Sequence, residues 1–426
     1  MATNFIKELE WRGMVQDITP GTEEQLEKEM TTAYVGFDPT ADSLHVGSLI
    51  PIMLLMHAQV AGHKPIALVG GATGMIGDPS FKADERQLLD EETLQKNIQG
   101  ITAQLKRFLN FEGGENKAEL VNNYDWIKKF SFIEFIRDVG KHISVNYMMS
   151  KDSVKKRLET GISFTEFSYQ LIQGYDFLHL YRTKNCKLQM GGSDQWGNIT
   201  TGTELVRRIA GGSAFAFTCP LLTKSDGGKF GKTESGTVWL DENRTTPYEF
   251  YQFWLNASDE DAKKLIRLFT FLPKETIENL EQEHEEAPHL RKLQQVLAED
   301  ITVRVHGREA YDTALAASKI LFGKSTEEDL QALNEKQFLN IFSGVPQARL
   351  QRKEIIEGVG IIDALSAKTG FLSSNSEARR ELKSNAISVN KTKVNEEFTL
   401  TTENLINEKF VLLSKGKKNN YLIIVE

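Results

Sequence analysis

Apolar residues near the amino end of the chain form short runs, and the first of these runs breaks sharply. The stretch from Ala33 to Phe37 ends at Asp38-Pro39, and an apolar run with helical spacing begins at Val46. Because proline cannot continue a central strand, this pattern predicts a strand, a tight loop and a helix. Pro65 to Gly70 is a continuous apolar run bounded by turn residues, which predicts a strand buried on both faces. The three elements together predict a right-handed crossover in a parallel sheet.

Later segments extend this α/β pattern and then change character. Helical spacing covers 94–109, 126–139 and 164–177, and strand-like runs cover 118–121 and 187–190. Segments between 248 and 321 all have helical spacing, and the tail combines helices over 361–369 and 374–383 with strands over 386–389 and 421–425. We therefore expect an α/β domain over 1–225, a mobile loop and connector over 226–247, an all-helical domain over 248–322, a polar linker over 323–358 and a small α+β domain over 359–426.

Length and composition are those of a soluble protein of two or three domains, with 426 residues of which 40% are hydrophobic and 26% charged. Charged residues from Lys7 to Arg12 interrupt the amino terminus, and no later run approaches a membrane span, so we expect a cytoplasmic protein with no membrane partner. Cys186 and Cys219 lack metal-ligand spacing. This predicts neither a disulfide nor a structural zinc site.

Charge is distributed unevenly along the chain. The formal net charge is −8, but residues 361–426 contain ten Lys or Arg against eight Asp or Glu, which leaves the tail at +2 and the remainder at −10. A basic appendage on an acidic body suits an RNA-binding tail. Arg379, Arg380 and Lys383 would form the basic face of the capped tail helix.

The loop that follows the first strand is a candidate anion site. Backbone N–H groups and the helix dipole converge where a strand's carboxyl end meets a helix's amino end. Thr40 and His45 add side-chain donors there, and Gly47 leaves room for a flat ring such as adenine. An ordinary capped loop would give the same short pattern, so these residues alone do not decide the function.

The second strand runs into a glycine-dense loop, Gly70 to Ser80. The dinucleotide fingerprint G-x-G-x-x-G fails because position 72 is Ala, which argues against a nicotinamide cofactor. Asp78 instead places a carboxylate where it can face a cationic amine. Lys82 and Arg86 follow in a polar segment, which is either a mobile basic loop or a solvated surface loop.

Two further segments place polar side chains together. Tyr169, Gln173 and Asp176 share one helix face among apolar neighbours, which predicts a buried polar pocket, with a water-facing stripe as the alternative. A strand then leads into a glycine-rich loop with Asp194, a carboxylate able to accept from two ribose hydroxyls. Lys229 and Lys232 lie three apart on a glycine-flexible loop, where a phosphate-cradling Walker loop fails at Asp226.

These motifs, in this order, resemble bacterial tyrosyl-tRNA synthetases, which are class I aminoacyl-tRNA synthetases, over nearly the whole chain. Thr40 to Ser48 is similar to the HIGH motif of that family, and Lys229 to Thr233 to its KMSKS motif. Two departures stand out, because the second HIGH histidine is Ser48 and the KMSKS serine is Gly231. A contact that an imidazole would make to ribose or a ring must then be weaker, made by a hydroxyl, or absent.

The resemblance implies a Rossmann-like parallel-sheet catalytic domain, an all-helical domain and a small α+β RNA-binding domain of a ribosomal-protein type. It implies activation of tyrosine with ATP and Mg²⁺, then transfer to the terminal ribose of tRNA(Tyr), by a homodimer without an organic cofactor. Its tyrosine-pocket residues are Tyr34, Asp78, Tyr169, Gln173, Asp176 and Gln195. Its ATP-binding residues are Gly36, Asp38, Gly47, Ser48, Gly192, Asp194 and Lys232. Its catalytic residues are Thr40, His45, Lys82, Arg86, Lys229, Lys232 and Thr233, and its RNA-binding residues are Arg379, Arg380, Lys383, Lys391 and Lys393.

Two other functions stay open at the level of sequence. Tryptophanyl-tRNA synthetases share the fold and the nucleotide motifs, although Tyr34 with Asp176 favours a phenol over an indole. An adapted synthetase-like protein that binds RNA without charging it would fit Ser48 and the basic tail, although the intact lysines of the loop argue against it.

Overall fold

A computed structural model describes residues 4–80, 89–158, 161–228, 230–233, 236–322, 326–342, 345–416 and 419–426. The chain forms two compact units. The first comprises Met1–Thr245 and Leu255–Val305, and the second comprises Thr246–Trp254 and His306–Glu426.

The strands belong to a large parallel sheet in the first unit and to smaller sheets and a hairpin. In chain order they are β1 (Asp17–Ile18), β2 (Thr32–Phe37), β3 (Lys64–Val69), β4 (Glu119–Asn122), β5 (Cys186–Gly192), β6 (Phe215–Cys219), β7 (Lys232–Thr233), β8 (Gly236–Thr237), β9 (Gln347–Leu350), β10 (Val359–Gly360), β11 (Ile387–Val389), β12 (Thr392–Lys393), β13 (Thr399–Leu400), β14 (Phe410–Lys415) and β15 (Asn419–Val425).

The helices are numbered in the same way along the chain. They are α1 (Phe5–Arg12), α2 (Thr22–Lys28), α3 (Leu49–Val60), α4 (Glu91–Phe108), α5 (Tyr124–Ile127), α6 (Phe132–Asp138), α7 (Val145–Met149), α8 (Asp152–Leu158), α9 (Phe164–Lys184), α10 (Trp196–Leu205), α11 (Pro247–Leu255), α12 (Asp259–Phe269), α13 (Lys274–Glu286), α14 (Lys292–His306), α15 (Arg308–Phe322), α16 (Glu327–Gln331), α17 (Glu335–Ile341), α18 (Arg352–Glu357), α19 (Ile361–Leu365) and α20 (Asn375–Lys383). None of them, over the stretches given above, is long and apolar enough to cross a membrane.

The sheet of the first unit has the strand order β1-β6-β5-β2-β3-β4. All neighbouring strands run parallel except β1, which is antiparallel to β6. From β2 the chain proceeds to β3 on one side, whereas β5 lies on the other side. The carboxyl ends of β2 and β5 therefore flank the point where the strand order reverses, which is where open α/β sheets bind ligands. This arrangement confirms the expected Rossmann-like fold.

Close packing of α9 on α10 fixes one wall of that crevice. A Cβ atom added at Gly202 would lie 2.9 Å from Phe177 Cβ, and one at Gly174 would lie 3.0 Å from Leu205 Cδ1. The two glycines thus let the helices approach more closely than residues with side chains would allow. As a result α9 holds its polar face at a set distance from the sheet.

The second unit contains a five-stranded sheet of order β12-β11-β14-β15-β9 and a separate pair, β10 with β13. Only β9 and β15 pair in parallel in the larger sheet. Its buried residues include Ile387, Val411, Leu413 and Ile423, which pack with residues of α19 and α20. This α+β core supports the basic tail helix described above.

Two segments differ from the sequence-based expectation. The predicted helix over 126–139 is two helices, α5 and α6, because Ser131 and Glu134 form a capping box that begins a new helix. The described part of the predicted linker over 323–358 contains α16, α17, β9 and α18. Leu330, Phe338 and Phe342 are buried there in an apolar cluster, which the polar composition of the segment conceals. The functional domain boundaries themselves stay a prediction.

Candidate active site

A cavity of about 610 Å³ opens at the carboxyl ends of β2 and β5. Strand ends, the loops after them and one face of α9 supply its walls. Eleven of the residues predicted from the sequence line it, namely Tyr34, Gly36, Asp38, Gly47, Asp78, Tyr169, Gln173, Asp176, Gly192, Asp194 and Gln195. The structure therefore brings together all six residues predicted for the tyrosine pocket and five of the seven predicted to bind ATP, whereas Ser48 and Lys232 are not among the lining residues.

One end of the cavity carries a buried phenol and a buried carboxylate. Tyr34 and Asp176 are each 1% exposed. Asp176 accepts hydrogen bonds from Trp126 Nε1 at 2.8 Å and from Asn123 Nδ2 at 2.9 Å. The hydroxyl of Tyr34 has no hydrogen-bond partner within the part of the chain that the structure describes. An unpaired buried hydroxyl is costly, so this end suits a ligand with its own polar group.

Burial controls the protonation of both groups. It raises the pKa of Asp176 to about 7, against the opposing effect of the hydrogen bonds from Asn123 and Trp126. Burial, and then the nearby charge of Asp176, hold the pKa of the Tyr34 phenol well above its usual range. Tyr34 therefore keeps its proton at neutral pH and is a hydrogen-bond donor there.

The middle of the cavity contains a second carboxylate in a polar network. Asp78 Oδ2 accepts from Gln195 Nε2 at 2.7 Å, and Asp78 Oδ1 accepts from the backbone N–H of Ser80 at 3.0 Å. Tyr169 donates to Asp38 Oδ2 at 2.8 Å, which joins α9 to the end of β2. Gln173 Oε1 is buried, and no partner for it exists among residues with described coordinates. These oxygen atoms can together surround an ammonium group.

The histidine after the first strand caps the helix that follows. His45 Nδ1 accepts from the backbone N–H of Gly47 at 3.0 Å, and Ser48 Oγ accepts from the backbone N–H of His45 at 3.4 Å. The imidazole lies over Gly47, since a Cβ atom there would be 2.8 Å from His45 Cε1. The histidine ring thus contacts the face of Gly47 that was expected to leave room for a flat ligand ring such as adenine. Ser48 completes a reciprocal cap.

The segment that contains Lys232 packs against this same helix start. Gly231 has a φ of +82°, and a Cβ atom there would lie 2.7 Å from Val46 Cγ2. The Gly231 carbonyl accepts from Val238, whose own carbonyl accepts from the backbone N–H of Val46. Burial, followed by the charge of Lys232, lowers the pKa of His45. His45 is therefore neutral at pH 7, with its donor hydrogen on Nε2.

The remaining predicted catalytic residues are placed as follows. Thr40 is exposed on the loop after β2, where its backbone N–H donates to the Asp38 carbonyl at 2.9 Å. Thr233 lies in β7, which pairs with β8. The other predicted residues, Lys82, Arg86 and Lys229, lie outside the described residues.

Three residues that contribute to the site were missed by the sequence analysis. Asn123 and Trp126 hold Asp176, and Gln189 on β5 lines the cavity with its buried Oε1 unpaired among the residues that the structure covers. Asn123 directly follows β4, so the rule that strand ends gather polar residues would have found it. Gln189 gave no comparable signal, because it lies inside a strand, between Leu188 and Met190, and not in the loop at the strand's end.

The predicted RNA-binding residues all lie in the second unit. Arg379, Arg380 and Lys383 are exposed on α20, Lys393 is exposed on β12, and Lys391 lies in the turn between β11 and β12. Lys391 has a φ of +72°, and burial lowers its pKa. The structure thus places the basic residues on one helix and on the hairpin that follows it.

Over the described ranges, no group of three His, Cys, Asp or Glu side chains is arranged to hold a metal ion. Cys186 and Cys219 are buried and free. Burial raises the pKa of Cys219, which lines the cavity, to about 12, so this thiol stays protonated.

Comparison with known proteins agrees with this geometry. The sequence family described as class I tRNA synthetases (W and Y) matches residues 26–323, and the C-terminal domain typical of SYY-like tyrosine–tRNA ligases matches residues 337–423. A tyrosine–tRNA ligase of Flavobacterium psychrophilum is 62% identical over 429 aligned residues, which cover 99% of this chain and 100% of the relative. One of Porphyromonas gingivalis is 61% identical with the same coverage.

A solved structure resembles about three quarters of the chain. The C-terminally truncated mitochondrial tyrosyl-tRNA synthetase of Aspergillus nidulans superposes with a TM-score of 0.66 at 31% identity, covering 73% of this chain and 92% of that protein. Two matching families and full-length relatives thus agree on one family. The chain therefore belongs to the tyrosine–tRNA ligases of bacteria, which are class I aminoacyl-tRNA synthetases.

Proposed function

We propose that the cavity at the ends of β2 and β5 binds L-tyrosine and ATP together, and that tyrosyl-adenylate forms there before tyrosine is transferred to the terminal ribose of tRNA(Tyr). The observation that carries this proposal is the unpaired hydroxyl of Tyr34 beside the buried carboxylate of Asp176. A phenolic substrate would satisfy both groups, because its oxygen accepts from Tyr34 and its proton donates to Asp176. Phenylalanine would leave both groups unpaired in a dry environment.

The ammonium group of tyrosine would lie at the middle of the cavity. Asp78 supplies the negative charge there, and Tyr169 and Gln173 supply further oxygen atoms. Gln195, which donates to Asp78, lies on the side of the substrate carboxylate in this arrangement. Asn123 and Trp126 orient Asp176 and leave a lone pair on each of its oxygens for the substrate.

ATP would occupy the other end of the cavity, against Gly36, Asp38, Gly47, Ser48, Gly192, Asp194 and Lys232. Glycine at position 192 gives Asp194 room, since a Cβ atom there would lie 2.5 Å from Asp194 Oδ1. The Asp194 carboxylate can then accept from both ribose hydroxyls. Mg²⁺ would arrive with the nucleotide and offset charge on its phosphates.

The activation step needs positioned positive charge and no general base. A carboxylate oxygen of tyrosine forms a bond to the α-phosphorus, the bond from that phosphorus to the bridging oxygen breaks, and pyrophosphate leaves with the electron pair. His45 donates from Nε2 and Lys232 supplies a cation as charge grows on the leaving group. We assign the same task to Thr40, Lys82, Arg86, Lys229 and Thr233 on the basis of the sequence motifs.

We further propose that two copies of the chain form a homodimer through an exposed apolar face on α6, α7 and the start of α9. Its exposed side chains are Phe132, Ile133, Ile136, Val145, Met149 and Phe164. Phe132, Ile136 and Phe164 line one open cavity there, and a large exposed apolar patch marks an interaction surface. The basic residues of α20 and of the β11–β12 hairpin would bind tRNA, and the cytoplasm is the expected location.

The direct test is the exchange of labelled pyrophosphate into ATP, measured with each of the twenty amino acids in turn. We expect exchange with tyrosine and none with phenylalanine or tryptophan at the same concentration. Exchange driven by tryptophan would contradict the assignment of the phenol-binding end. No exchange with any amino acid would show that the chain binds RNA without forming an adenylate.

A further inference from the structure

The loop that contains Lys232 is anchored on α12, a helix that contributes none of the predicted site residues. Ser225 donates from its backbone N–H to Asp261 Oδ1 at 2.9 Å and from its hydroxyl to Asp261 Oδ2 at 3.2 Å. The hydroxyls of Ser225 and Ser258 share another hydrogen bond of 3.2 Å. A single carboxylate on the first turn of α12 thus accepts two hydrogen bonds from one loop residue.

A second contact lies at the other end of the same helix. The ring of Phe230 stacks on the ring of Phe269, with centroids 5.8 Å apart and planes 12° from parallel. Phe269 is fully buried at the end of α12, whereas Phe230 also lines the cavity. Because α12 is fixed by its own packing, it holds the loop at two points on either side of Asp226 to Gly228.

The opposite side of the loop contacts the start of the helical segment that follows His45. Gly231 packs against Val46, as described above, and Lys224 Nζ donates to the Lys232 carbonyl at 3.1 Å. The backbone of Lys232 is therefore fixed from two directions, by α12 and by the residues that follow His45. Removing either support would allow the loop to leave the cavity.

We infer that Asp261 and Phe269 are positioning residues, which hold the loop against the helix start at Val46 and so keep Lys232 beside the ATP end of the cavity, which Phe230 lines. The inference rests on the proposed role of Lys232 in adenylate formation. Neither residue touches the cavity's predicted substrates, and each acts through a loop neighbour of Lys232. The anchored loop corresponds to the state in which activation takes place.

The hydrogen bonds to Asp261 set the expected size of the effect. A hydrogen bond to a charged group in a protein shifts an equilibrium by about tenfold or more. Loss of Asp261 should therefore lower the fraction of anchored loop, and with it the rate of adenylate formation, by about tenfold. Tyrosine affinity should stay unchanged, because the phenol and ammonium ends of the cavity make no contact with this anchor.

The test uses four variants of the full chain, namely Asp261→Ala, Ser225→Ala, the double variant and the control Glu260→Ala. The control removes a neighbouring carboxylate from the same first turn of α12, so it accounts for the effect on the helix dipole. For each variant we would measure single-turnover adenylate formation, tyrosine affinity, the thermal midpoint and the rate of tryptic cleavage after Lys229 and Lys232.

We expect Asp261→Ala to form adenylate about tenfold more slowly, with faster cleavage in the loop and an unchanged thermal midpoint. Ser225→Ala keeps the backbone N–H that donates to Asp261, so it should lose only part of that rate, and the same substitution should cost less in the Asp261→Ala background than it does alone. Parental rates in Asp261→Ala would overturn the inference. A loss of rate that Glu260→Ala reproduces, or that accompanies a lower thermal midpoint and weaker tyrosine binding, would also overturn it.

Lys232→Ala separates this inference from the proposed function. If Lys232→Ala is slow while Asp261→Ala is normal, the anchor is wrong and the proposed active site stands. If Lys232→Ala forms adenylate at the parental rate, the proposed role of the loop is itself contradicted.

Discussion

The imidazole of His45 folds back on Gly47, and its Nδ1 atom accepts a hydrogen bond from the Gly47 backbone N–H at 3.0 Å. This bond fixes the tautomer, since the ring proton must then reside on Nε2. The same bond fixes the ring's direction, so Nε2 can act as a donor without rearrangement. In the proposed mechanism, this orientation lets His45 donate a hydrogen bond to a phosphate group. The lowered pKa of His45 makes the ring neutral at pH 7.

His45→Ala and Lys232→Ala should each slow tyrosyl-adenylate formation by about 100-fold or more, with tyrosine affinity nearly unchanged. In the proposed mechanism both residues face charge that grows only as pyrophosphate departs, so their loss should affect the transition state more than the bound substrate. Rapid-quench measurement of a single turnover checks the rate, and equilibrium dialysis checks the affinity. Lys106→Ala, on the exposed face of α4, is the control. Parental single-turnover rates in both site variants would refute the assignment.

Asp176→Asn should weaken tyrosine binding by about tenfold or more and reduce the preference for tyrosine over phenylalanine. The amide cannot accept from the phenol and from its present donors as the carboxylate does. Pyrophosphate exchange with both amino acids measures the change. A variant that discriminates between them just as the parent does would show that the phenol lies elsewhere.

Asp176 also makes a specific prediction about stability and pH. Its pKa of about 7 in the folded protein exceeds that of an ordinary carboxyl, about 4 in an unfolded chain. Between these values the folded state holds a proton that the unfolded state has lost, so this residue makes stability fall as pH rises from about 4 to 7. The free energy of unfolding of Asp176→Asn, relative to the parent, should therefore increase over that range. Urea unfolding at several pH values measures this. If the carboxyl of Asp176 titrates normally, the difference in unfolding free energy between variant and parent will be the same at every pH.

Ile133→Asp should convert the proposed homodimer to monomers. Ile133 is 70% exposed on α6, and an aspartate there would place a charge in a desolvated apolar contact. Val60→Asp is a matched control, because Val60 is 69% exposed on α3 and outside the proposed face. Sedimentation velocity of the three proteins gives the result. A dimeric Ile133→Asp, or a parent that is itself monomeric, would exclude this face as the interface.

Replacing Arg379 and Arg380 by alanine should raise the KM for tRNA several-fold and weaken its salt dependence, because phosphate contacts would be lost. Pyrophosphate exchange needs no tRNA and should be unchanged. Lys353→Ala, on α18 of the same unit, controls for loss of a surface charge. If aminoacylation by the double variant matches that of the parent, α20 does not contact tRNA.

Sequence patterns predicted the central strands well because each has a continuous apolar run that ends at glycine, aspartate or proline. They missed β6, because Phe215 to Cys219 is a run of only five residues, and its pairing with β1 and β5 involves segments that are distant along the chain. Phe338 and Phe342 look isolated in a polar segment, and their cluster is completed by α15 and by the distant strands β14 and β15. Local periodicity contains no information about such partners.

The site likewise contains residues that the sequence predicted and residues that only the fold reveals. Resemblance to a family identified residues that line the cavity, including Tyr34 and Asp78. It did not identify Asn123 and Trp126, which act through Asp176, or Asp261, which acts through Ser225. These contacts join segments that are 36 to 53 positions apart, so spacing along the chain gives no indication of them.

The paired glycines of α9 and α10 have a consequence for the accuracy of translation. Close packing of Gly174 on Leu205 and of Gly202 on Phe177 sets the position of the helix that carries Asp176, so in the proposed site the choice of amino acid depends on rigid packing. Activation depends instead on a loop anchored by a few polar contacts. Inherited changes in that loop would leave a slow but faithful enzyme, whereas a bulkier residue at either glycine would allow mistakes to enter newly made proteins.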